Sequence, residues 1–301
     1  MAYRINRSET AEAAIQRLLL DQNRRALKLL ASWRKDPPRH IHRSRQCFKR
    51  TRAVLRLLRP VAPYIFTVEN RLYRDCARQL SYVRDAEAMV EAIGFLETSC
   101  NDDASGDSLA ILKEGLRRRA TAELDDSLVD LSGRCADVVA ELGLANRRFH
   151  RLPLRGLRRK HLKRAAQKGL QRCASTFRKA RDSDRAEDFH GWRKQVKYSF
   201  HHAHLMQDIL PRWSHQYERP LEQLGQLLGN SQDLFVLDQL LSMQPDALHI
   251  DIHTQRIRRM IALSQYELRG KIVALGDRVF RFPGTHSRDN VVPLRSGLAV
   301  R

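Results

Sequence analysis

The stretch IHRSRQCFKRTRAVLRLLRP, residues 41–60, carries two stripes on one helical period. In steps of three and four residues, His42, Arg45, Lys49, Arg52, Arg56 and Arg59 fall on one side, and Ile41, Phe48, Leu55 and Leu58 form the adjoining apolar face. The apolar face needs a core. The basic one needs another explanation, because a solvated helix face normally mixes signs, and like charges one turn apart oppose the helix by roughly 0.2–0.5 kcal/mol per pair. Water and salt would screen such a stripe on an open surface. A polyanion would neutralise it directly.

Charge over the whole chain points the same way. Its 301 residues include 55 Lys and Arg against 34 Asp and Glu, a formal net charge of +21. A polyanion of some kind, whether nucleic acid, anionic membrane or inorganic chain, is the matching partner. The imbalance is concentrated: residues 37–68 contain no acid, and residues 146–181 hold 14 Lys and Arg with no acid. A hydrophobic content of 42% is ample for a globular core. Five scattered cysteines without a C-x-x-C pair fit neither a disulfide framework nor a zinc knuckle. With no long apolar run at the N-terminus and none of bilayer length elsewhere, the expected location is cytoplasmic.

A 3.6-residue apolar period recurs over about 9–34, 40–59, 64–94, 107–143, 157–181, 186–209, 213–243 and 250–276, with no strand-like alternation. Breakers separate these segments, among them Asp36-Pro37-Pro38, Pro60 with Pro63, Pro153 with Gly156, Pro211 and Pro245. The fold class is therefore all-α. The last 21 residues, 281–301, read as a flexible tail.

An ungapped offset of 148 residues superposes the chain on itself. It places His42 on His190, Arg45 on Arg193, Lys49 on Lys197, Pro63 on Pro211, Leu80 on Leu228 and Asp85 on Asp233, and it pairs Arg24 with Arg172. Two helices match apolar positions by spacing alone, but they match His, Arg and Lys less readily. The expected architecture is a duplication: four helices in residues 1–145 and four in 146–280, forming two bundles about a pseudo-twofold axis.

The segments IHRSRQCFKRTR and FHGWRKQVKY, followed by LSYVRD at 80–85 and LLGNSQDL at 227–234, resemble the two halves of a CHAD domain, the conserved histidine α-helical domain. The resemblance spans about residues 9–276 and rests on a His-x-x-Arg-x-x-x-Lys signature and a distal Asp, each present twice in order. It implies two four-helix bundles around a central basic cavity, binding of inorganic polyphosphate and, in some bacterial members, association with polyphosphate granules. The candidate polyphosphate-binding residues are Arg24, His42, Arg45, Lys49, Arg50, Arg52 and Arg56 in the first half. Arg172, His190, Arg193, Lys194, Lys197 and His204 are the candidates in the second. Phe200 and His204 stand where the first copy has Arg52 and Arg56, which implies weaker or pH-dependent binding by the second copy. No E-x-E-x-K segment of the triphosphatase-type partner domain occurs, so no catalytic role carries over, and no cofactor is called for.

Polyphosphate suits such a stripe because it is charged at essentially every unit and offers no base to read. Lys and Arg meet it with charge-assisted hydrogen bonds. His42 and His190 could donate to phosphate oxygens, or they could pack against or cap their helix starts. Asp85 and Asp233 read as partners that orient basic side chains rather than as catalytic acids. His201, His202 and His204, and the His249–His253 pair, have spacing that can chelate, but no H-E-x-x-H or cysteine ligand accompanies them, so no metal site is assigned. Nonspecific nucleic-acid binding is the alternative function, and some is expected in vitro in any case. Against it stands the lack of interleaved aromatics for stacking bases, with aromatic content at 7%. A phosphohydrolase would need carboxylates or an activated nucleophile among the cations, and the basic segments contain none. Oligomeric state is left open by these patterns.

Overall fold

In a computed structural model of the chain, the basic helix begins at a proline. Asp36 accepts a hydrogen bond from the Arg39 amide at 3.2 Å, and Pro37 opens the helix, where its missing N–H is no loss. The structure describes residues 3–99, 106–126, 128–243 and 254–281, without the side chains of 82–87, 106 and 123–126. The helices are α1 (Ala11–Ala31), α2 (Pro37–Leu58), α3 (Pro63–Gln79), α4 (Tyr82–Ser99), α5 (Gly106–Asp126), α6 (Leu128–His150), α7 (Arg159–Ser183), α8 (Ala186–Leu205), α9 (Pro211–Met243) and α10 (Thr254–Phe280). A short 3-10 turn, Trp33–Lys35, joins α1 to α2, and no strand occurs among the described residues.

Two pairs of helices keep the sequence offset: Ala11 and Arg159 open α1 and α7, and Pro63 and Pro211 open α3 and α9, each pair 148 residues apart. Helices α1, α2, α3 and α6 pack as one group and α7, α8, α9 and α10 as another, with α2 meeting α7 and α8 between them. The segment expected as one helix over 64–94 is in fact two. Helix α3 ends at Gln79, and α4 departs to pack against α2, α9 and α10 as well as its neighbour α5. Its counterpart α9 runs unbroken for 33 residues. The apolar period continues through both, so the break is set by what α4 packs against.

The buried face of α2 is the predicted one, with Ile41, Phe48, Leu55 and Leu58 all fully enclosed. Buried apolar side chains from Tyr3 to Phe280 form one continuous core across both halves. Two polar clusters inside it are paired. Asn23 donates to the Leu142 carbonyl at 3.0 Å and accepts from the Tyr73 hydroxyl at 2.6 Å. Glu69, almost wholly buried on α3, accepts from Nε and Nη2 of Arg148 at 2.5 and 3.1 Å, which ties α3 to α6. On α10, Gly276 passes so close to α7 that any Cβ there would overlap the Phe177 ring. The described cysteines, Cys47, Cys76, Cys135 and Cys173, are free and buried. No helix among the described residues is long and apolar enough to cross a membrane.

Candidate polyanion-binding site

Helices α2 and α8 are in contact, and residues of both line a cavity of about 290 Å³. Gln46, Lys49 and Arg50 of α2 line it together with Lys197, Phe200 and His201 of α8, and α9 closes it with Leu221, Glu222 and Gly225. Lys49 and Lys197, matched by the 148-residue offset, are thus brought to one space. Helical spacing explains the rest of the wall. Positions 46, 49 and 50 lie one turn apart on α2, as do 197, 200 and 201 on α8.

The wall is cationic but not uniformly so. Burial, reinforced by the Arg50 charge and the neighbouring histidines, pushes the His201 imidazole down to about 3, so it faces the cavity as a neutral ring. Glu222 adds a carboxylate to the same wall. Phe200, which takes the position equivalent to Arg52, gives it an apolar flank.

His190 and Arg193, one turn further toward the start of α8, open on a smaller cavity of about 80 Å³ with Ser231, Gln232 and Arg269. The His190 ring nitrogen Nδ1 lies 2.9 Å from Gln232 Oε1. Burial, with Lys194, Arg193 and Lys197 adding to it, holds its pKa below the usual histidine value. Arg193 approaches Asp233 at 4.0 Å, so this aspartate does stand beside a basic residue of the signature. The Asp85 side chain lies outside the described residues.

Neither signature histidine caps its helix. Asp36 caps α2, and His42 and His190 each sit a full turn inside, His42 with its Nε2 at 2.7 Å from Gln46 Nε2. Arg45 donates to the Ala77 carbonyl. Arg52 and Arg56 turn to a residue the sequence pattern did not single out, Tyr198 of α8. Arg56 stacks over its ring at 3.7 Å and Arg52 lies at 6.0 Å, donating also to Asn70 Oδ1 at 3.1 Å. Burial and the charges of Arg56 and Arg74 lower the Arg52 pKa, although the guanidinium stays charged. Only the offset could have flagged Tyr198, which faces Arg50 in the register.

The remaining candidates are dispersed. Arg24 and Arg172 are exposed, as is Lys194, and Arg24 pairs with Asp21 at 3.5 Å. His204 meets Glu218 at 2.7 Å, while His202 is buried with Nε2 3.0 Å from the Ala53 carbonyl. The His249–His253 pair lies outside the described residues. Within the acid-free run, Arg147, Arg151, Arg155, Arg158, Lys160 and Arg164 are exposed and belong to neither cavity wall. They form an outer basic surface.

A fold with this site matches the family model described as CHAD domain over residues 17–242, and the chain belongs to that family. Polyphosphate binding is a general attribute of its members. No curated protein matches the chain.

Proposed function

We propose that the chain binds inorganic polyphosphate without turning it over, seating the chain of phosphates along the meeting faces of α2 and α8. Lys49 and Lys197 lining one cavity is the observation that carries this reading. The two helix groups then act as pseudo-twofold halves of one binding unit, each supplying a lysine to the same ligand. Arg50 adds a planar donor beside them, and His190 and Arg193 extend the basic track along α8. Lys49, Arg50 and Lys197 give the wall its charge, and Phe200 is the one Phe, Tyr or Trp among its lining residues, so the paired aromatics that stack successive bases are missing from that lining, which favours a bare phosphate chain over nucleic acid. A cytoplasmic pool, including polyphosphate granules, is the setting that matches such a ligand.

The test is charge reversal. Arg45→Glu, Lys49→Glu, Arg193→Glu and Lys197→Glu combined should abolish polyphosphate binding while the circular dichroism of the helices is retained. Unchanged binding by the folded quadruple variant would remove these residues from the site.

A further inference from the structure

The segment before α1 is not slack. Ile5 is fully buried and its amide donates to the Leu205 carbonyl at 3.0 Å; Arg4 pairs with Asp208 at 3.5 Å, and Arg7 donates to the Asp208 carbonyl. From the opposite side, Arg159 donates to the carbonyls of Arg7 and Glu9. Residues 4–9 are thus strapped across the second half of the chain, and the strap fixes Tyr3 behind the cavity wall.

Tyr3 touches that wall at several points. Its hydroxyl donates to the Arg50 carbonyl at 2.8 Å, and the Arg50 guanidinium lies over its ring at 5.3 Å. His201 meets the ring edge-on and His204 stacks against it, both at 6.0 Å between centroids. Burial raises the phenol pKa well above its ordinary value, so the hydroxyl remains a donor. Tyr3 precedes the family-matched residues 17–242.

We infer that Tyr3 is a positioning residue, holding Arg50 at the cavity wall through the ring beneath its guanidinium and the hydroxyl on its carbonyl. An arginine on a free stem would lose rotamer entropy each time it engaged a phosphate. Anchored over Tyr3, it meets the ligand already placed. The binding consequence rests on the polyphosphate reading; the anchoring itself does not.

Two measurements separate them. In the ligand-free protein, phenylglyoxal labelling with mass mapping should modify Arg50 faster, relative to the exposed Arg24, in Tyr3→Leu than in the native chain, and least fast in Tyr3→Phe among the variants. Unchanged Arg50 labelling in a folded Tyr3→Leu overturns the anchoring whatever happens to affinity. In titrations with long-chain polyphosphate, Tyr3→Leu and Arg50→Gln should each weaken binding about fivefold, and the double variant should be no weaker than Arg50→Gln alone. Additive losses overturn the inference, since a general loosening of the fold would not act through Arg50. A native chain that fails to retain polyphosphate overturns the binding reading by itself, and the labelling result then stands apart from it.

Discussion

Lys49 of α2 and Lys197 of α8 stand 148 residues apart in the chain and line the same cavity. An anion that bridges two ammonium groups is attracted by both and releases its own counterions on binding.

Salt dependence should count them. Each lysine that touches a phosphate steepens the fall of log affinity with log salt by about one unit or slightly less. Lys49→Ala and Lys197→Ala should each flatten the slope by about that amount, and the double variant by about two. A slope unchanged in the double variant would mean that neither lysine contacts the ligand.

Arg56 depends on Tyr198. The guanidinium lies 3.7 Å from the ring centroid, and such a cation–π contact contributes about 0.5–2 kcal/mol as it becomes desolvated. Tyr198→Leu should lower stability to denaturant by roughly that amount, whereas Tyr198→Phe, which keeps the face, should stay within about 0.5 kcal/mol of the native chain. Equal losses in the two variants would assign the effect to the hydroxyl instead.

This contact shows what the sequence could and could not tell. The basic stripe, its matching copy and the buried face through Phe48 and Leu55 were legible, because helical period converts spacing directly into facing. Which cations share a cavity was not. Arg45, Arg52 and Arg56 lie on the same stripe as Lys49, yet they are taken up by the Ala77 carbonyl, Asn70 and Tyr198, partners fixed only by tertiary packing. The break at Leu80 was hidden for the same reason: the period runs through it, and the packing of α4 on α9 and α10 decides it. Tyr3 carried no signal at all, since its role depends on a strap anchored by Leu205, Asp208 and Arg159.

Acid should loosen the junction between the halves. His202 of α8 is buried against the Ala53 carbonyl of α2, and burial depresses its pKa from 6.5 to about 4. Because the unfolded chain takes up the proton first, His202 contributes stability that is fully present above about pH 6.5 and lost as pH falls toward 4. The full loss is on the order of 3 kcal/mol, and His201, depressed in the same direction, adds to it. Denaturant titrations across this window should show a shallower acid limb for His202→Gln, which can still donate to the carbonyl. An acid limb as steep as that of the native chain would place the sensitivity elsewhere.

On the proposed reading, the α2–α8 cavity selects a bare phosphate chain over other polyanions. The direct measurement is a competition titration at low and physiological salt, in which labelled long-chain polyphosphate on the protein is displaced by unlabelled polyphosphate or by single-stranded DNA and RNA of equal total charge. Polyphosphate should displace the label at far lower charge concentration than either nucleic acid, and the margin should persist at physiological salt. Equal displacement by nucleic acid would contradict the claim and leave a generic basic surface in its place.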